Sequence, residues 1–78
     1  MNKQQRELVA IHTEMTNVQA RVKQLTQSAR DHMSVDLTTL NQKGLDEHYA
    51  KGVQIKAEID TAVEEYKRLK TELDNALN

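Results

Sequence analysis

A chain of 78 residues without Cys is no disulfide scaffold and no thiolate metal protein, and it is too short to bury a large core. Its net charge of −1 gives no bulk attraction to nucleic acid or anionic lipid. Hydrophobic residues make up 37%, yet Phe, Trp and Pro are absent and Tyr49 and Tyr66 are the only aromatics. This aliphatic content suits a narrow seam between helices better than a globular core.

The longest apolar run, Leu8 to Ile11, is far too short for a membrane span or a signal-peptide core. The expectation is therefore an intracellular, cytoplasmic chain with no membrane partner. With neither disulfide nor metal to help so small a fold, stability is expected to come from oligomerisation.

From the N-terminus, Leu8, Ile11, Met15, Val18, Val22, Leu25 and Ala29 recur at alternating spacings of three and four. That is a heptad seam on one helix, about residues 3–31. The periodicity then slips. His32 stands where the seam wants an apolar residue, and Met33, Leu37 and Leu40 follow a shifted face. Ser34 is a plausible N-cap for a short helix over about 35–43. Gly44 suits a left-handed C′ position, with Leu45 folding back on Leu40. Asp46 would then cap the last helix, about 46–77. The rival reading is one continuous helix over 35–77, since a mid-helix Gly costs only about 1 kcal/mol. The last segment carries a second seam through Gly52, Ile55, Ile59, Ala62, Tyr66, Leu69, Leu73 and Ala76, widened by Val63 and Leu77.

Folding the two arms back antiparallel, with paired residue numbers summing to about 81, sets Leu8 by Leu73, Met15 by Tyr66, Val22 by Ile59 and Ala29 by Gly52. Each arm is roughly 40 Å long at 1.5 Å per residue. Residues 1–31 carry five bases and three acids, whereas residues 45–78 carry five bases and eight acids, so charge also favours pairing of unlike arms. The fold class expected is all-α: a coiled-coil-like helical hairpin of two long antiparallel helices with a short connecting helix, a single domain over 1–78, assembling into a helical bundle.

Chemistry-bearing patterns are few. His32 and Asp36 lie four apart, the geometry of a metal half-site, but no third ligand has a supporting spacing. His12 and His48 have no acid or His three or four residues away. Nucleophile elbows, P-loops and dinucleotide fingerprints are missing, so neither catalysis nor a cofactor or metal is expected. Lys67, Arg68 and Lys70 form a basic knot, with Arg21, Lys23 and Arg30 dispersed on the first arm. They are interleaved with acids and lack an aromatic stacking platform.

The first arm is rich in uncharged polar residues, among them Thr13, Gln19, Gln24, Thr26 and Gln27, which are cheaper to desolvate against a partner than charges are. The functional expectation is a non-enzymatic protein–protein interaction module, a description that small adaptors, assembly chaperones and inhibitors from bacteria or their phages all fit. Its interface would use Val9, Val63, Leu73 and Leu77, with Thr13 and Gln24, toward another protein or another copy of the chain. The runner-up is a small helical nucleic-acid-binding regulator.

Overall fold

The computed structural model describes residues 2–78. Two long helices, α1 (Lys3–Met33) and α2 (Gln42–Leu77), are joined by a short connection holding one 3₁₀ turn, Leu37–Thr39, and there is no strand among the described residues. The first helix begins on a capping box. Asn2 Oδ1 accepts from the Gln5 N–H at 2.8 Å, and Gln5 Oε1 accepts from the Asn2 N–H at 3.0 Å, which satisfies two of the free donors at a helix start.

The connection differs from the expected helix over 35–43, and the reason is local hydrogen bonding. Ser34 closes α1 instead of opening a new helix: its N–H donates to the Arg30 and Asp31 carbonyls, and its hydroxyl donates to Asp31 O at 2.7 Å. Asp36 then captures the next turn. Its carboxylate accepts from the Thr38 hydroxyl at 2.6 Å and the Thr38 N–H at 3.0 Å, while the Thr39 hydroxyl donates to the Asp36 carbonyl. Such side-chain bonds give the backbone an alternative to the helix, and here the alternative wins. The Thr38 hydroxyl, and then its N–H, hold the Asp36 carboxyl below its ordinary value. The turn is therefore fully stabilised at and above the usual carboxylate range, and this contribution is lost as pH falls through the lowered value.

The start of α2 is also earlier than Asp46. Leu40 is extended, and Asn41 caps the helix by accepting the Gly44 N–H at 2.8 Å. Gly44 sits in the first turn of α2 without a positive φ, so it is not a left-handed C′ residue. A Cβ there would meet Leu40 Cβ and Cδ2 at 3.3 Å, so its bareness lets Leu40 fold against the helix start. Asp46 lies within the helix and accepts from Gln42 Nε2. The continuous helix over 35–77 fails for the same reasons.

The arms pair antiparallel into a rod of 60 × 15 × 13 Å. Gln4 Nε2 donates to the Ala76 carbonyl at 3.1 Å, and the His32 and His48 rings stack at the other end, both matching a sum near 81. Every residue of the two expected seams is buried or half-buried. The deepest positions are Val18, Ile55, Ala62 and Leu69, with Met15, Val22, Leu25 and Tyr66 packed around the Val18–Ala62–Leu69 cluster. Ile59, which the register sets by Val22, is half-buried. At the turn end Leu40 is half-buried, whereas Leu37, Leu45 and Tyr49 are exposed, Tyr49 at 75%.

Candidate functional site

Writing the seams as a and d positions of a heptad, Leu8, Met15, Val22 and Ala29 are a positions, as are Gly52, Ile59, Tyr66 and Leu73. Val18, Ile55, Ala62 and Leu69, the four fully buried residues, all hold d positions. The a residues reach only half-burial, as do the d residues Ile11, Leu25 and Ala76, so the closest contact between the arms leans toward the d side over the stretch of α2 from Ile55 to Leu69.

One flank explains the rotation. Beyond d on that side lie the g positions, where one ion pair crosses between the arms, Arg21 to Glu65 at 3.1 Å, while Glu72 on the same edge pairs with Arg68 of its own helix. The opposite flank, formed by the e positions, is crossed by one hydrogen bond, from Gln19 Nε2 to the Tyr66 hydroxyl at 3.2 Å. There a groove of about 270 Å³ is lined by Ala29, Met33, Gly52, Ile55 and Ile59, with only His32 and the Lys56 stem to interrupt the carbon surface. Val63 and Leu77 continue this flank along α2, and Tyr49 and Met33, the latter 82% exposed, stand at its turn end.

The residues expected at an interface divide accordingly. Val63 and Leu77 share the e flank, with half-buried Leu73 in the seam beside them. Val9, 53% exposed, lies at a b position on the outer edge of the same side. Thr13 and Gln24 occupy f and c positions on the outer surface of α1, away from this flank, and the Thr13 hydroxyl donates to the Val9 carbonyl. Thr16 and Thr26 likewise donate to their own helix, so the threonines of the polar arm offer methyl groups outward with their hydroxyl protons already placed. Sequence reasoning missed Met33, Tyr49 and the groove floor. The e spacing was the available signal, since Met33 continues the α1 heptads just past the expected helix end and Tyr49, Val63 and Leu77 share the e position of α2.

The histidines are structural in arrangement. His32 continues the α1 seam by one further step and stacks on His48, with ring centroids 3.7 Å apart and planes 11° from parallel. Stacked rings do not aim their nitrogens at one shared ion. Asp36 lies beyond the helix end with its carboxylate on Thr38, so the His32–Asp36 pair does not assemble. Among the described residues there is no group of three His, Cys, Asp or Glu placed to hold a metal, and no buried polar side-chain atom without a partner. The basic knot is partly answered within its own helix, Lys67 by Glu64 at 3.5 Å and Arg68 by Glu72 at 2.6 Å. No described helix is long and apolar enough to cross a membrane.

Gly52 gives the stack a test. A Cβ at this position would stand 2.9 Å from His32 Nε2, so Gly52→Ala must push the ring off His48. Helix propensity gains about 1 kcal/mol from the change, which offsets the lost stacking, and the melting temperature is expected to move little. The imidazole proton resonances of His32 and His48 are expected to shift downfield together as mutual ring shielding is lost. Unmoved resonances would show that the rings do not stack in solution.

Comparison of the chain with protein-family models, curated proteins and solved structures finds no match among any of them.

Proposed function

We propose that the chain is a non-enzymatic protein–protein interaction module whose binding surface is the e flank of the hairpin. The observation that carries this reading is the rotation of the arm contact. The four buried residues all hold d positions and Arg21 pairs with Glu65 across the g edge, whereas Met15, Val22, Ile59 and Tyr66 are half-buried beside a flank edged by Met33, Val63 and Leu77. Apolar surface of this kind, edged by Lys23, Arg30 and Asp60 and interrupted along α2 by Lys56 and Lys70, marks interaction sites in proteins. A helical bundle surface presents it in rigid form, at low conformational cost on binding.

Photocrosslinking side chains installed singly in the organism that makes the chain test the reading. Probes at Met33 and Val63 are expected to yield protein adducts, whereas probes at Gln54 and Glu58 on the other flank are expected to yield few. Equal yields on both flanks would overturn the assignment. So would retention on a DNA column that collapses steeply with salt, the behaviour of a phosphate-binding surface and the mark of the nucleic-acid alternative.

A further inference from the structure

We infer that the occupant of the e flank is a second copy of this chain, laid on with both turns at the same end to close an all-antiparallel four-helix bundle. The inference rests on the reading of that flank as the binding surface and names its partner. Three observations carry it.

The first is area. The chain exposes 6184 Å². Folded monomers of 9.0 kDa average roughly 4,900 Å², so this rod shows about 1,300 Å² more than a compact chain of its mass. A standard stable interface removes about 800 Å² from each partner, so the excess is large enough to supply one. Among the described residues only four hydrophobic side chains are fully buried, and a second layer over the a positions is what would turn this seam into a core.

The second is charge. A two-fold axis parallel to the rod sets α1 of each copy beside α2 of the other, with heights preserved. The outer b edge of α1 on this side carries Lys23 and Arg30 and no acid, and that of α2 carries Asp46, Asp60 and Asp74 with Lys67. The antiparallel sum near 81 then places Lys23 within a turn of the other copy's Asp60, which already pairs with Lys56 of its own helix at 2.9 Å, and Arg30 more than a turn from its Asp46. The alternative axis, perpendicular to the rod, sets α1 against α1 with heights inverted, where the b edge of the facing helix offers Lys23 and Arg30 no acid. Unlike charges favour the first arrangement.

The third is the placement of exposed apolar residues. Met33 and Tyr49 at the turn end, and Leu77 at the open end, lie on the same flank. With turns together, the register sum near 81 sets Met33 of each copy by Tyr49 of the other, the reciprocal pairing that an isologous contact requires.

The test uses the whole chain, which has no Cys to interfere with labelling. Lys43 lies at the turn end on the outer face of α2, away from the flank, so Lys43→Cys with a spin label leaves the proposed contact intact. Sedimentation equilibrium at micromolar concentration is expected to report twice the 9.0 kDa chain mass. The label-to-label distance is expected at roughly 25–35 Å, set by helices spaced about 9 Å apart plus the label arms. A distance approaching the 60 Å rod length would mean opposed turns and overturn the arrangement. A monomer throughout the micromolar range would overturn the second copy as occupant. The Val63 photocrosslink separates that failure from failure of the flank reading: an adduct of twice the chain mass supports the inference, and an adduct with a different protein defeats it while leaving the flank as the binding surface.

Discussion

Leu69→Ala is expected to produce one of the two largest stability losses of any substitution in this chain. Leu69 has no exposed surface and sits in the deepest cluster with Val18 and Ala62, so truncation removes its transfer free energy and leaves a cavity. Such changes cost about 2–5 kcal/mol. At about 4–8 °C per kcal/mol for a domain of this size, the melting temperature is expected to fall by at least 10 °C. Circular dichroism melts at one fixed protein concentration give the value, and Ile59→Ala provides the internal comparison. Ile59 is half-buried in the hairpin, so its truncation is expected to cost less than that of Leu69 at low concentration. Where a second copy covers the flank, the two costs are expected to converge as protein is added, because assembly stabilises by mass action. Equal costs at every concentration would place the two sites in the same layer and refute the rotated contact.

Val18→Asp is expected to unfold the chain at pH 7. The position is 2% exposed, at the centre of the α1 seam, and its neighbours Ala62, Met15 and Val22 offer the carboxylate neither a donor nor a counter-charge. An unpaired charge in such a site costs several kcal/mol, and the group escapes by staying protonated. The sign of the pH dependence follows. Burial raises the folded-state pKa of the new carboxyl above its unfolded value, so the penalty is fully present above the raised pKa and shrinks as pH falls toward the unfolded one. Helical signal at pH 4 is therefore expected to exceed that at pH 7 for the variant, relative to the parent chain at each pH. A variant as stable as the parent at pH 7 would put Val18 at the surface.

The all-α class, the two seams and their antiparallel register are legible in the sequence because each rests on a repeat sustained over more than three heptads. Spacings of three and four through Leu8 to Ala29 and through Gly52 to Ala76 admit no strand reading, and matching their lengths leaves one way to fold the arms together. Absence of a nucleophile or phosphate signature was equally readable. The connection was not, since its outcome turns on single hydrogen bonds in competition. Ser34, Asp36, Asn41 and Asp46 are all good caps by residue type. Only the assembled chain decides that Asp36 spends its carboxylate on Thr38, that Ser34 ends a helix and that Asn41 begins one. With the arms so joined, the His48 ring stacks on His32 at the turn end. The rotation of the contact toward the d positions belongs to tertiary structure for a similar reason. Heptad spacing defines a stripe wider than the line along which two helices touch, and the side of the stripe that closes is set by groups on both arms at once. Here Arg21 meets Glu65 across the gap, and Ala62 is small enough for the arms to approach closely at the d layer.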